Sequence, residues 1–506
     1  LHAARRAAAA GPRFRARPQP RGWDALPALT QERTAGRHPL ADHAASLALR
    51  RRAEEIEASF GAIAPTLQAL APRQFAPGFA DEAAATLHAK LQLEIPRKAL
   101  AASWTAPLDL RGLHARCVLG TFCRLIAHAF DRGLAQFSDG EPADALIRRW
   151  GFHAIDITPC ADGRLSGLTD YILRVPPSII AFRESHAGAM FDVAHAVRHW
   201  ESVELRRWRD GWPNAAEART RFLKIGVYHL SSVAPGHEGC AAHGSDDTRA
   251  AGALLERLDQ LAQAVRALHG PDAAIATLLI GVDTDTDAIR VHVPDAAGRM
   301  DIGRYADSRA LYDATAHLSR DGAKDAIRDA VAACAGVPAD DTATEGMRWF
   351  CGYLLKNNFG QVEAVRDWHQ GRYADAGHTE RLIVVGDPVD DLQLRNLAFQ
   401  AQMQTVEEGA ADLDVGIRIL RAHHAAYGLP VPVLVHIRFD PRIPGAADAA
   451  AQRARRLAAA VTARHGELAA RGDLCVAAVL RAADGSVLSP IDLTASHGDA
   501  PPEVHR

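Results

Sequence analysis

The sequence predicts a multidomain protein of the α+β and α/β classes, with an N-terminal helical domain followed by two α/β domains. Three observations lead to this prediction. Apolar residues recur every three to four positions early in the chain, strand-like runs then alternate with helical runs, and a second alternating series follows. A length of 506 residues also suggests about three domains. The predicted division is an arm over residues 1–40, a helical domain over 41–136, an α/β domain over 137–375 and a second α/β domain over 376–506.

The first 40 residues are predicted to form a disordered basic arm. They contain eight arginines against two acidic residues, Asp24 and Glu32, and five prolines interrupt any helix. Three interpretations stay open: a solvated tail, a transit peptide, and an arm that becomes ordered on an acidic protein partner. The lack of serine disfavours the transit peptide.

The next block, residues 41–136, has the periodicity of amphipathic helices. Leu49, Ala53, Ile56 and Phe60 recur at helical spacing, and similar patterns cover residues 79–91 and 119–130. We therefore expect this block to be entirely helical.

Two series of strand-like and helical runs follow. The first has strand-like runs at 152–158, 223–230 and 275–293 and helical runs at 187–208 and 248–268; the second has strand-like runs at 381–386, 431–439 and 474–488 and helical runs at 392–408 and 446–465. Such alternation predicts parallel pairing. The tripeptide that ends in His229 has an apparent counterpart ending in His436, but the second series lacks the matching cysteines. This pattern favours an internal duplication in which only the first copy keeps metal ligands, although αβ alternation can also recur by itself.

Overall composition excludes several classes of function. An apolar content of 48%, a charged content of 24% and a formal charge of −3 are typical of a soluble globular protein and indicate neither nucleic-acid binding nor membrane binding. The longest near-continuous apolar run, Ala273 to Val282, is too short to span a bilayer. Seven cysteines are few for this length and favour a reducing, cytosolic compartment.

The strongest chemical signal is the segment from Cys160 to Arg164, which follows a strand-like run. Cys160, Asp162 and Arg164 occupy alternate positions, so their side chains can meet where a strand ends. Cys160, His229 and Cys240 provide the ligand types of a catalytic zinc site, which leaves a fourth position for water. Each lies near the end of a strand-like run or in the loop after it, where open α/β sheets place their sites.

The expected chemistry is hydration of a small neutral molecule by zinc-hydroxide. Asp162 would accept a hydrogen bond from the nucleophile, and Arg164 would keep Asp162 off the metal by paired hydrogen bonds. Alternatives remain: the cysteines can be buried apolar residues, His229 can be a core histidine, and a structural zinc site can take Cys117 or His243 as a fourth ligand.

Three segments of the chain match the motifs of a known family. They are Ile157-Thr158-Pro159-Cys160-Ala161-Asp162-Gly163-Arg164, His229-Leu230-Ser231-Ser232 and His237-Glu238-Gly239-Cys240-Ala241-Ala242-His243-Gly244. Together they resemble the carboxysomal shell carbonic anhydrases, a divergent β-class branch also called the ε-class. The spacing of eleven residues between His229 and Cys240 matches this branch, whereas ordinary β-class enzymes have a spacing of three. The resemblance covers nearly the whole chain.

The resemblance implies one zinc ion per chain on Cys160, His229 and Cys240, with Asp162 and Arg164 as the catalytic dyad. It implies a β-carbonic-anhydrase-like fold whose C-terminal copy is degenerate and lacks zinc. The reaction would interconvert CO2 and bicarbonate, with His237 and His243 as candidate proton relays.

The resemblance also implies a cellular setting. The chain would form a homodimer or larger assembly inside an α-type carboxysome, at the inner face of the shell, within the bacterial cytoplasm. Residues 1–40 would bind Rubisco, shell proteins or both. The rival hypothesis is a scaffold protein whose zinc site, built from two cysteines and one histidine, is purely structural.

Overall fold

The computed structural model describes residues 37–103, 106–131, 143–176, 179–211, 221–338, 344–374 and 377–493. The predicted arm therefore lies outside the described residues, except for its last four. In the part of the chain that is described, no helix is long and apolar enough to cross a membrane.

The N-terminal region is helical, as predicted. Its principal helices are α1 (His43–Gly61), α2 (Ile63–Leu70), α3 (Phe79–Leu91) and α4 (Leu110–Asp131). Asp42 caps α1 by accepting a hydrogen bond from the Ala45 N–H, and the apolar stripe of α1 is buried. This stripe shares one core with Leu382, Leu434 and Val479. The helical region therefore covers one face of the C-terminal sheet.

The middle of the chain forms a six-stranded sheet. Its strands are β1 (Ala154–Pro159), β2 (Ile180–Arg183), β3 (Phe222–Leu230), β4 (Ile275–Asp283), β5 (Ile289–His292) and β6 (Ala306–Asp307). The order is β2-β1-β3-β4-β5-β6, and the first four strands of this order are parallel. Strands β5 and β6 are joined antiparallel. All nine residues of β3 are buried, as expected for a central parallel strand covered on both faces.

Helices cover this sheet and its β5–β6 edge. They are α5 (Ala143–Arg149), α6 (Val193–Arg209), α7 (Asp247–His269), α8 (Ser308–Thr315), α9 (Arg320–Ala335) and α10 (Glu345–His369). Helix α7 packs along β3 and β4, while α8, α9 and α10 contact the β5–β6 edge. Parallel packing of β1 and β3 places their carboxyl ends at one edge of the sheet, beside the loop that leads into α7.

The C-terminal part forms a second, five-stranded sheet. Its strands are β7 (Leu382–Gly386), β8 (Ala398–Gln402), β9 (Val431–Phe439), β10 (Leu474–Ala482) and β11 (Leu488–Ile491), and its helices are α11 (Val406–Ala425), α12 (Ala446–Arg464) and α13 (Gly466–Ala470). The order is β11-β10-β9-β7-β8, with only β11 antiparallel. Read in chain order, this connectivity repeats that of β1 to β5. The predicted fold class is thus confirmed for the helical region and both α/β sheets.

The register of the two sheets corrects one predicted equivalence. Cys160 donates its N–H to the carbonyl of Val227, and Asp387 donates its N–H to the carbonyl of His436. His436 therefore corresponds to Val227, and the position of His229, two residues later, corresponds to Arg438. The predicted equivalence paired the wrong residues because it matched two hydrophobic residues followed by a histidine rather than strand register.

Two further expectations about secondary structure were wrong. The run at 392–408 was predicted to be a helix, but it contains β8, and α11 begins only at Val406. Strand β2 was not predicted at all. Both are four- or five-residue strands at or near a sheet edge, and such short segments carry little periodicity.

We predict that the β3–α7 contact tolerates no added methyl group at Gly226. A Cβ atom at this position would lie 2.9 Å from Leu254 Cγ, which belongs to a fully buried side chain. Gly226→Ala should destabilise the protein by about 1–3 kcal/mol, because overpacking displaces core side chains.

Gly252→Ala in α7 is the matched control, since a Cβ atom there meets nothing within 4 Å. It should stabilise the helix by roughly 0.5–1 kcal/mol. Thermal unfolding midpoints of both variants check this. Equal midpoints would show that the contact is looser than described.

Candidate metal centre

Cys160 lies where β1 ends, held by backbone bonds to both neighbouring segments. Its N–H donates to the Val227 carbonyl at 3.1 Å, and it forms an isolated parallel bridge with His186. The Gly188 N–H donates to Cys160 Sγ at 3.3 Å. The sulfur is therefore fixed in position and accepts a hydrogen bond.

His229 occupies the next-to-last position of β3 and is 1% exposed. Neither of its ring nitrogens makes a hydrogen bond, although Nε2 lies 3.3 Å from Asp162 Oδ2. A buried imidazole without hydrogen bonds costs free energy, and such groups in native proteins call for an explanation. Coordination of a metal ion would satisfy one of these nitrogens.

Cys240 completes the group from the loop between β3 and α7. Its Sγ atom lies 3.9 Å from Cys160 Sγ, and the ligand atoms of Cys160, His229 and Cys240 all lie within 4.8 Å of one another. Two sulfurs that share a tetrahedral zinc ion at about 2.3 Å lie about 3.8 Å apart. The two sulfurs therefore have the spacing of ligands that share one metal ion, and the imidazole of His229 lies close to both.

The two thiols differ in acidity. The pKa of Cys240 is lowered by the Cys160 thiol beside it and, against the effect of burial, by the N–H groups of Ala242 and His243. The pKa of Cys160 is raised, first by Cys240 and then by burial. Cys240 is thus the first of the pair to become a thiolate, which is the form that binds metals.

Asp162 and Arg164 form a buried ion pair with two parallel hydrogen bonds next to this group. Arg164 donates from Nε to Asp162 Oδ1 at 3.0 Å and from Nη2 to Oδ2 at 2.7 Å. Arg164 Nη1 also donates to the Glu238 carbonyl at 2.8 Å. Burial alone would raise the pKa of Asp162, but Arg164, His378 and His229 hold it well below its usual range. Asp162 is therefore ionised and fixed in orientation.

The sequence analysis missed two residues of this site, His378 and Glu380, which precede β7. His378 Nε2 lies 3.7 Å from Asp162 Oδ2, and His378 Nδ1 lies 3.0 Å from Glu380 Oε1. The same Glu380 oxygen accepts the Gly163 N–H at 3.1 Å. Although burial opposes it, Asp162 and Glu380 raise the pKa of His378 to about 9. The alternating His-x-Glu pattern beside a strand was the available signal.

The remaining predicted residues lie outside the three-residue group. His237 is exposed, and His243 is buried with Nε2 3.5 Å from the Gly188 carbonyl. Cys117 belongs to the core of the helical region. Neither Cys117 nor His243 joins the cluster of potential ligands among the described residues. The structure therefore gives a fourth-ligand role to neither.

The equivalent edge of the second sheet has different chemistry. Asp387 is in register with Cys160, and its carboxylate lies 3.0 Å from Arg453 Nη2 and accepts the Arg438 N–H at 2.7 Å. Asp387 thus stands where the first sheet has the thiol of Cys160, and Arg438 stands where it has the imidazole of His229.

Comparisons with known proteins cover most of the chain. Three family models match it: Carboxysome Shell Carbonic Anhydrase, N-terminal, over residues 38–130; catalytic domain, over 142–378; and C-terminal, over 379–497. The protein named carboxysome shell carbonic anhydrase of Halothiobacillus neapolitanus is 40% identical over 471 residues, covering 92% of this chain and 91% of its own length. The protein of the same name from Parasynechococcus marenigrum is 39% identical, covering 91% of this chain and 79% of its own length.

We predict that Glu380 holds the turn at residues 163–165 through the Gly163 N–H. Glu380→Ala should leave this buried donor unpaired, at a cost of about 1–3 kcal/mol, and should speed amide exchange in the turn. Glu380→Gln keeps an acceptor oxygen and is the matched control. Hydrogen exchange followed by mass spectrometry checks this, and equal exchange in both variants would contradict the assignment.

Proposed function

The chain belongs to the carboxysome shell carbonic anhydrase family, and on this premise we propose that Cys160, His229 and Cys240 hold one zinc ion that serves the hydration of CO2. Family membership makes the chain a carbonic anhydrase of the carboxysome. The metal and the residue roles are our proposal. The observation that carries the proposal is a buried group of two sulfurs and one imidazole at the carboxyl ends of β1 and β3. The imidazole makes no hydrogen bond through either nitrogen.

The reaction converts CO2 and water into bicarbonate and a proton, and it is reversible. When bound, zinc supplies Lewis-acid chemistry that makes water a competent nucleophile near neutral pH toward the carbon of CO2. Cys160, His229 and Cys240 would occupy three positions of a tetrahedral ion and leave the fourth for the reactants.

Asp162 would orient the attacking water by accepting a hydrogen bond from it. Its carboxylate is suited to this role because it is ionised and because both oxygens are held by Arg164. Since a side chain held at both oxygens cannot turn toward the metal without breaking two charged hydrogen bonds, Arg164 would also keep the fourth position open. His378 adds a second cation beside Asp162 and supports its ionised form.

We further propose that bicarbonate is dehydrated inside the α-carboxysome, at the inner face of the shell, and that the CO2 reaches Rubisco nearby. The chain would act there as a homodimer or a larger assembly. The arginine-rich residues 1–36 suit attachment to an acidic surface of Rubisco or of a shell protein.

The proposed roles predict two distinct kinds of loss. Cys160→Ala should lose the zinc ion of the cysteine cluster together with turnover, whereas Asp162→Ala and Arg164→Ala should keep that zinc ion and lose turnover by about 10²–10⁴-fold. Stopped-flow CO2 hydration and elemental analysis of the same samples check this.

Cys351→Ala is the control, because Cys351 is a buried free cysteine outside the cluster. It should keep zinc and activity. Full activity in Arg164→Ala would contradict the dyad. A fourth protein ligand in X-ray absorption spectra, with no zinc-dependent turnover, would instead support a scaffold with a structural zinc site.

The arm predicts a separable binding function. Deletion should stop at residue 36, because His38 is buried and its N–H donates to Glu363 Oε2 at 2.9 Å. Removal of residues 1–36 should abolish co-sedimentation with Rubisco at low salt and leave hydration unchanged, since the attraction is electrostatic. A variant with the arm's arginines changed to glutamine should behave like the deletion. Unaltered co-sedimentation of the deletion variant would exclude the arm.

A further inference from the structure

We propose that Glu184, His195 and His199 form a second metal site, separate from the cysteine cluster, which takes a divalent transition-metal ion such as zinc. Glu184 directly follows β2, and the two histidines lie one turn apart on α6. This spacing of four residues places both imidazoles on one helix face, as in known histidine pairs that bind zinc.

The three side chains converge on one point. His199 Nε2 lies 3.6 Å and His195 Nε2 lies 3.8 Å from the same oxygen, Glu184 Oε1. These distances are too long for hydrogen bonds. Atoms that share a zinc ion at about 2.1 Å lie roughly 3.4 Å apart in tetrahedral geometry, so a small closure would suffice. The ligand atoms all lie within 4.8 Å of one another.

A second observation supports a metal at this place. His199 Nδ1 lies 2.9 Å from Oδ2 of Asp156, a fully buried residue of β1. An imidazole that bonds a carboxylate through one nitrogen presents the other nitrogen in a fixed orientation, which is the usual support of metal-binding histidines. Lys224 Nζ donates to the other Asp156 oxygen at 2.6 Å, and the ring of Phe182 stacks on His199 at 3.9 Å. Thus His199 is held in place before any ion binds.

The ligand types also suit a metal. Glu184 supplies a carboxylate, and His195 and His199 supply two imidazoles, which bind metals in the neutral form. Two imidazoles and one carboxylate favour zinc and similar transition metals over calcium or magnesium, which prefer oxygen ligands.

The site would brace the segment that encloses the cysteine cluster. Glu184 donates its N–H to the Ile157 carbonyl, and four residues later the Gly188 N–H donates to Cys160 Sγ. A metal that ties Glu184 to α6 would therefore hold this segment against the sheet. The proposal does not depend on catalysis, because its ligands are distinct from Cys160, His229 and Cys240.

Zinc content of the full chain tests the proposal. After metal removal, reloading with zinc and extensive buffer exchange, the native chain should retain two equivalents. His195→Ala and His199→Ala should each retain one. Cys160→Ala should also retain one, and Cys160→Ala combined with His199→Ala should retain none. His269→Ala is the matched control, because His269 Nε2 also pairs with a glutamate, Glu201, at 3.0 Å, but belongs to no ligand cluster among the described residues.

Cobalt loading separates the two sites by spectroscopy. Cys160→Ala should still bind cobalt, but without a sulfur charge-transfer band. Addition of His195→Ala to this variant should remove the bound cobalt. Because His195 is half-buried, the His195→Ala variant should fold, and an unchanged thermal midpoint of its metal-free form would verify this. The proposal would be overturned if the native chain retained one equivalent of zinc and both histidine variants retained the same amount. Glu184, His195 and His199 would then be an ion-pair cluster only. A native chain with one equivalent that His195→Ala or His199→Ala removes and Cys160→Ala does not would count against the proposed function instead.

Discussion

The paired hydrogen bonds between Arg164 and Asp162 are the interaction on which the rest of the site depends. Arg164 is only 1% exposed, so its guanidinium needs partners inside the protein, and Asp162 and the Glu238 carbonyl provide them. The bond to Glu238 also fixes the loop that carries Cys240. The buried guanidinium of Arg164 thus links the turn after β1 with the loop after β3, and the two segments that carry the candidate ligands meet around it.

The C-terminal unit supports this site, although its own equivalent edge has Asp387 and Arg438 in the positions of the thiol and the imidazole. Glu380 binds the Gly163 N–H, Asn396 donates its N–H to the Gly163 carbonyl at 2.7 Å, and Ser166 Oγ donates to the Leu394 carbonyl at 2.7 Å. These bonds hold the turn that contains Arg164 from the outside. The space is tight, because a Cβ atom on Gly163 would lie 2.2 Å from Glu380 Cγ. The segments on either side of β7 therefore support the turn that contains Arg164.

Much of this arrangement could be predicted from the sequence, but partly through an incorrect local geometry. Alternation along an extended strand was expected to bring Cys160, Asp162 and Arg164 together. In the structure the chain leaves the strand after Cys160, and the Asp162 side chain caps a short 3-10 turn at Gly163–Leu165 by accepting the Arg164 N–H. The paired hydrogen bonds between Arg164 and Asp162 form because of this turn. His378 could not be placed, since its distance to Asp162 depends on how two domains pack, and no local pattern encodes that contact.

The balance of buried charge is consistent with the proposed dication at the cysteine cluster. With both thiols ionised, Cys160, Cys240, Asp162 and Glu380 carry four negative charges, and all four residues are at most 6% exposed. Arg164 and His378, whose pKa is raised to about 9, supply two positive charges near neutral pH. An excess of two buried negative charges is unfavourable unless compensated. The raised pKa of Cys160 agrees with this, because a proton kept on that thiol removes one of these charges. A dication bound at the cluster would let the thiol protons leave and would restore neutrality. Arg164 and His378 would then offset the two carboxylates, and the charge of the metal would match the two thiolates.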